Sequence, residues 1–265
     1  MDFYELYNIE SETERVNRTY DVFDEANRLS TKAGKVEFIT TVRYIEKYLK
    51  PGDKILDVGA GTGAYSIYFS RNGYEISALE LADANVAAFR KRIMPGDCID
   101  LVQGNALDLS RYPDKHFDIV LVLGPLYHLE RKEDKQRCIE EAKRVCKDGG
   151  KIFFAFISND MVILTELMYN EKFFFGDTYD HDSFKVYDFP FVFNTLDEMR
   201  EILHRGGVKI LDEVASDGVS ELLEGRINAL EEESYEQYLR YHFYTCEKPE
   251  MLGRSNHLLF VTEKK

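Results

Sequence analysis

The segment Ile55-Leu56-Asp57-Val58-Gly59-Ala60-Gly61-Thr62-Gly63 constrains this chain more than any other. A β-rich run enters a turn with glycine at every second position, and a helix-compatible run leaves it. Glycine there permits φ > 0 and lets a ligand approach the backbone closely. The free N–H groups at the start of the next helix favour a carboxylate or phosphate. Such a turn belongs in a βαβ unit, and the flanking sequence repeats that alternation. Strands are predicted over 54–58, 74–81, 100–103, 117–123 and 151–157. Helices are predicted over 62–72, near 83–92 and over 133–147, where Cys138, Ile139, Ala142, Val145 and Cys146 form one apolar stripe. The run 151–157 is apolar throughout, as parallel strands covered on both faces are. Alternating strands and helices give right-handed crossovers and a mostly parallel sheet.

The ends of the chain depart from this rhythm. Residues 1–50 read as a helical cover, with Val36, Ile39, Val42, Ile45 and Leu49 at spacings of three and four before Pro51-Gly52. Thr195 and Glu198 form a capping box for a helix that closes at Gly206-Gly207. A strand over 208–214, an amphipathic helical stretch over 219–248 and a last strand over 257–262 follow. The organisation is then a core of residues 51–158 and 195–265, a cap insertion over 159–194 and a helical insertion over 219–250. The cap insertion is rich in aromatics: Phe173, Phe174, Phe175, Tyr179, Tyr187, Phe189, Phe191 and Phe193. These suit either a roof over a small, partly apolar molecule or the cap's own core.

The glycines alone fit two kinds of cofactor, because with Ala64 they also match the dinucleotide pattern G-x-G-x-x-G/A. Asp57 separates them. A carboxylate at the strand end repels a pyrophosphate and attracts an ammonium. Glu80, at the end of the second strand, accepts from ribose hydroxyls in either case. Further motifs follow in order. The segment around Gly59 resembles motif I of the class I S-adenosylmethionine-dependent methyltransferases, and Glu80 matches their acidic residue after the second strand. Gln103-Gly104-Asn105-Ala106 resembles their motif after the third strand, with Asn105 where Asp is more frequent. Phe117-Asp118-Ile119-Val120 with Gly124-Pro125-Leu126-Tyr127-His128-Leu129 resembles the fourth strand and its loop. Arg144 to Gly150 resembles the turn into the fifth strand.

The resemblance implies a Rossmann-like, seven-stranded, mostly parallel sheet with the last strand antiparallel, and S-adenosylmethionine as cofactor. It assigns the cofactor to Asp57, Gly59, Ala60, Gly61, Gly63, Glu80, Leu81, Asn105, Ala106, Leu123 and Gly124. The expected chemistry is in-line attack by a small-molecule acceptor on the sulfonium methyl. Tyr127, His128, Phe175 and Tyr179 are candidates to meet the acceptor, and His128 is the candidate base. Two other readings stay open: a non-catalytic S-adenosyl-ligand-binding protein and an NAD-dependent oxidoreductase.

Charge limits the acceptor. Lys plus Arg is 34 and Asp plus Glu is 48, for a net charge of −14. That balance repels nucleic-acid backbones, and the loop after the fourth strand lacks the Asn/Asp-Pro-Pro-Tyr tetrad expected of enzymes that methylate nucleobase amino groups. The four cysteines are scattered, with no metal-ligand spacing, so neither a metal nor a disulfide is expected. No secretory signal or membrane span is read, so a cytoplasmic location is expected.

Overall fold

The computed structural model describes residues 6, 9, 11–22, 28–188 and 190–264. Helix α1 (Glu12–Val22) and helix α2 (Lys32–Tyr48) precede the sheet. The repeating unit then runs β1 (Lys54–Val58), α3 (Ala64–Arg71), β2 (Glu75–Glu80), α4 (Asp83–Arg92), β3 (Ile99–Gln103), β4 (Phe117–Val122), α5 (Lys132–Val145) and β5 (Cys146–Ser158). After it come α6 (Asn159–Tyr169), a two-residue strand β6 (Phe193–Asn194), α7 (Leu196–Arg205) and β7 (Val208–Ala215). Helices α8 (Glu224–Asn228), α9 (Glu232–Thr245) and α10 (Pro249–Leu252) lead to β8 (His257–Lys264).

The sheet order is β3-β2-β1-β4-β5-β8-β7, with β6 paired to the end of β5. Strands β1 to β5 pair in parallel, and β8 runs antiparallel to both β5 and β7. The expected sheet is therefore present, with β6 as a short addition. Chain order reverses between β1 and β4. The crevice outside the carboxyl ends of those two strands is where open α/β sheets bind ligands.

The core explains the register. Ile119, Val120, Leu121 and Val122 of β4 and Ile152, Phe153 and Phe154 of β5 are at most 1% exposed, as central strands covered on both faces must be. Each such side chain contributes about 2 kcal/mol of burial free energy. Helix α5 lays Cys138, Ile139, Ala142 and Val145 onto them. Cys146 belongs to β5 rather than to that helix, because the chain is already extended there (φ −74°, ψ 136°). Cys138, Cys146 and Cys246 are buried free thiols, and Cys98 is exposed.

Two predicted boundaries change. Residues 159–194 begin with a true helix, α6, whose N-cap Ser158 accepts from Met161 N at 3.2 Å. The run Met161-Val162-Ile163-Leu164 hides its period because both faces are apolar, Leu164 being 47% exposed. The amphipathic helical stretch expected over 219–248 is divided, with a break between α8 and α9. There Asn228 Oδ1 accepts from Ala33 N at 2.9 Å, and Leu230 O accepts from Lys32 Nζ at 2.6 Å. The break is thus held by α2, which also docks Ala33 and Val36 against Ile227 and Tyr235. The capping box at Thr195 and Glu198 forms as expected. Among the described residues, no helix is long and apolar enough to cross a membrane.

Candidate active site

The turn after β1 is shaped by what surrounds its glycines. Gly59 sits at φ 73°, and a Cβ there would meet Pro125 of the post-β4 loop at 2.7 Å. The two loops that flank the switch point therefore touch through a glycine. Gly63 sits at φ 83°, and a Cβ there would strike Phe89 of α4 at 2.1 Å. Its task is to let α3 and α4 close against each other. Arg92 Nη1 pins the turn from outside by donating to Thr62 O (2.8 Å) and Thr62 Oγ1 (2.9 Å).

A cavity of about 440 Å³ opens at this point. Its wall brings together Asp57, Gly59, Ala60, Gly61, Glu80, Leu81, Asn105, Ala106, Leu123, Gly124, Tyr127 and His128. Of the cofactor candidates, only Gly63 lies off the wall, for the packing reason just given. Asp57 is 1% exposed. Its Oδ2 accepts from Ser66 Oγ at 2.6 Å, and its Oδ1 is buried without a partner. Burial, with the nearby Glu80 charge, pushes its carboxyl up to about 6. Glu80 is also buried, and burial pushes it above the usual range despite its backbone donors. Its Oε2 accepts from Gly61 N (2.7 Å) and its Oε1 from Ala82 N (2.8 Å). Asn105 Oδ1 accepts from Leu107 N at 2.9 Å, which turns the chain after β3.

His128 ends a short 3₁₀ turn over Pro125–Tyr127. Its Nε2 pairs with Tyr20 Oη of α1 at 2.8 Å, and its Nδ1 is buried without a partner. Burial pushes the imidazole down to about 4, so it is neutral at pH 7. It can accept a hydrogen bond, but it is a weak base there.

A second cavity of about 540 Å³ adjoins the first, and Tyr20, Arg28 and Tyr127 line both. Its wall includes Ile157, Val162, Phe191 and Phe193 on the apolar side. The polar side holds Glu37, Glu166, Asp217, Glu221, Glu224, Asn256 and His257. The main chain ties it to the sheet edge, since Val192 N donates to Tyr127 O at 2.8 Å. Of the acceptor candidates, Tyr127 reaches both cavities and His128 only the first. The structure does not bring Phe175 or Tyr179 to either. Phe175 is 88% exposed. Tyr179 is buried in the cap's own cluster with Phe173 and Val186, and its hydroxyl donates to Phe174 O at 3.0 Å. Phe174 and Tyr187 are exposed. Phe191 and Phe193 do reach the second cavity, while Phe189 lies outside the described residues.

No local sequence pattern marks Arg28, Glu37, Asp217, Glu221, Asn256 or His257 as members of one site. His257 stood out only as the start of the last strand. Its Nδ1 lies 2.8 Å from Asp217 Oδ2 and 3.7 Å from Glu37 Oε2. Burial opposes its charge, but these two carboxylates outweigh it and push the imidazole up to about 9. The three side chains lie close enough together to hold a cation. The Arg28 guanidinium, paired with Glu37, and the His257 imidazolium already supply positive charge there.

Comparison with known proteins matches residues 56–154 to a methyltransferase domain. The chain is 32% identical over 143 residues to the ubiquinone/menaquinone biosynthesis C-methyltransferase of Xanthomonas oryzae pv. oryzae, covering 51% of this chain and 53% of that one. It is 31% identical over 108 residues to the 27-O-demethylrifamycin SV methyltransferase of Amycolatopsis mediterranei, covering 39% and 38%. The chain spans about half the length of the curated relatives it matches. Among solved structures, a Pyrococcus horikoshii protein superposes with a TM-score of 0.62 at 18% identity, covering 94% of this chain and 99% of that one. The magnesium protoporphyrin IX methyltransferase of Synechocystis superposes with a TM-score of 0.58 at 12% identity, covering 96% and 100%. The last two likenesses are of fold. The matched domain begins inside β1 and ends inside β5, and so contains the glycine turn, Glu80 and the post-β4 loop. Residues 56–154 thus match a methyltransferase domain, and the order of the motifs and of the strands makes the chain similar to the class I S-adenosylmethionine-dependent methyltransferases.

Proposed function

We propose that this chain transfers the methyl group of S-adenosylmethionine to a small-molecule acceptor, with the cofactor in the first cavity and the acceptor in the second. The observation that carries this reading is that the two cavities meet at Tyr20, Arg28 and Tyr127. The first cavity fits the cofactor on its own chemistry. Asp57 is a buried carboxylate with one oxygen unpartnered, which suits an ammonium. Glu80 keeps lone pairs for hydroxyl groups beyond those its two backbone donors use. Asn105 and Ala106 offer a polar edge, and Leu81 and Leu123 an apolar bed, for an adenine. Gly59, Ala60, Gly61 and Gly124 keep the floor low, and Gly63 acts one step removed by packing α3.

When bound, the cofactor supplies a sulfonium methyl that an acceptor lone pair attacks as the carbon–sulfur pair leaves with sulfur. The chain's own task is then to align and to exclude water. Tyr20 and Tyr127 stand where the cavities join and are placed to do both. His128, neutral at pH 7, holds Tyr20 there. We assign it a positioning role in preference to that of base. The names of the relatives, quinone and rifamycin methyltransferases, support a small-molecule acceptor. The net charge of −14 supports leaving nucleic acid aside.

Calorimetry with S-adenosylhomocysteine and with NAD tests the cofactor, and transfer from labelled S-adenosylmethionine tests the acceptor class. The expected result is binding of the first ligand only, with labelling of a small-molecule fraction and background labelling of tRNA and DNA. Binding of NAD alone, or strong labelling of nucleic acid, overturns the reading.

A further inference from the structure

The second cavity carries an unbalanced charge. Five carboxylates line it, from Glu37, Glu166, Asp217, Glu221 and Glu224, against Arg28 and His257. Arg28 is paired with Glu37, and His257 with Asp217 at 2.8 Å. Among the described residues no Lys, Arg or His makes an ion-pair contact with Glu166, Glu221 or Glu224, and only Glu221 feels the His257 charge from further off. Burial pushes the carboxyl of Glu166 above the usual range with nothing to offset it, and pushes that of Glu221 up despite the Asn256 hydrogen bond and the more distant His257 charge.

A second observation is independent of these acids. Asn256, 5% exposed, lies on the same wall. Its Nδ2 donates to Glu221 and, at 3.4 Å, to Thr165 Oγ1. Its Oδ1 is buried and accepts from nothing. A buried carbonyl oxygen without a donor costs about 1–3 kcal/mol, and a ligand N–H would relieve it. Tyr169 borders the same three glutamates, and after burial their charges are what push its phenol up. An aromatic face beside carboxylates favours a cation.

On the reading of this cavity as the acceptor site, we infer that the acceptor carries a cationic amine. Its ammonium would sit among Glu166, Glu221, Glu224 and Asn256, and its apolar body against Ile157, Phe191 and Phe193. A carboxylate ligand would find the two cations of the wall already neutralised and would meet the remaining negative charge.

The test is calorimetry on the full chain saturated with S-adenosylhomocysteine, using 2-phenylethylamine, 2-phenylethanol and 3-phenylpropionate. These probes share a ring and differ in charge. The amine is expected to bind at least tenfold more tightly than either of the others. Glu221→Gln and Glu166→Gln should each weaken amine binding about tenfold. Neither should change S-adenosylhomocysteine affinity, which reports the first cavity and confirms a folded chain. If the amine binds no better than the alcohol or the carboxylate, or if both variants bind it normally, the inference is wrong while the methyltransferase reading stands. Failure of S-adenosylhomocysteine itself to bind would instead remove the reading on which the inference rests.

Discussion

The two cavities are neighbours of similar size built in opposite ways. The first is made of strand ends and turns within one stretch, residues 57 to 129, with α1, residues 28–30 and α2 added over it. Its central features are backbone features: positive φ at Gly59, Gly61 and Gly63, and Gly61 N and Ala82 N aimed at Glu80. The second is made of side chains from α1, α2, the post-β4 turn, β5, α6, the cap and the approach to β8. No two adjacent elements define it. Recognition through the backbone needs particular residues at fixed spacing, whereas recognition through assembled side chains needs only that distant segments pack correctly.

The strongest way to break this contrast is at Asp57. Asp57→Ala should weaken S-adenosylhomocysteine binding by about a hundredfold, since it removes the buried charge proposed to meet the ammonium. Calorimetry checks this. The same experiment run against pH sharpens it. The Asp57 carboxyl is raised to about 6 in the free protein, and only its ionised form attracts a cation. Affinity should therefore be full above pH 6 and should fall about tenfold for each further unit below it. Asp57→Asn should be flat over that range. A wild-type profile without this drop would move the cation's partner elsewhere.

A smaller effect is expected at the junction. His128→Ala should lower kcat about tenfold while S-adenosylhomocysteine affinity changes less than threefold, because Tyr20 loses its 2.8 Å hydrogen bond to the imidazole. His128→Gln, which keeps a hydrogen-bonding side chain, should recover most of kcat. A base would not be rescued so, and it would also introduce a titration in kcat that His128→Gln removes.

The smallest effect is on stability. His257 is raised from 6.5 to about 9 in the folded protein by Glu37 and Asp217, against the opposing cost of burial. Its contribution is fully present below pH 6.5 and is lost as pH rises through 9. Melting temperatures should therefore decline between those values, and His257→Gln should flatten that decline. An unchanged slope would mean that the imidazole is neutral in the fold.

Legibility followed the same division. Every cofactor candidate except Gly63 reaches the first cavity wall, because each sits at a strand end or turn where spacing alone dictates position. Gly63 shows the limit: a glycine required by Phe89, 26 residues on, has the same local pattern as one required by a ligand. Phe175 and Tyr179 stand out by composition alone, and composition does not tell a satellite core from a cavity wall. His257 and Asp217 are 40 residues apart and meet only because β8 turns back beside β7. Helix α6 is hidden in the sequence because an apolar residue on its outer face erases the period that would mark it.

The pairing of β6 with β5 has a further meaning. The chain leaves the sheet at Ser158 and re-enters at Phe193, and the strand ends are registered partners, Ile157 with Phe193 and Ser158 with Asn194, in parallel strands. Everything between them is a closed excursion whose ends the sheet already holds side by side. Its length and composition can drift with little disturbance to the strands that carry the glycine turn. The side chains that this excursion lends to the second cavity, among them Val162, Glu166 and Phe191, are thus modular, exchangeable like a fitting on a fixed mount without renegotiating the fold.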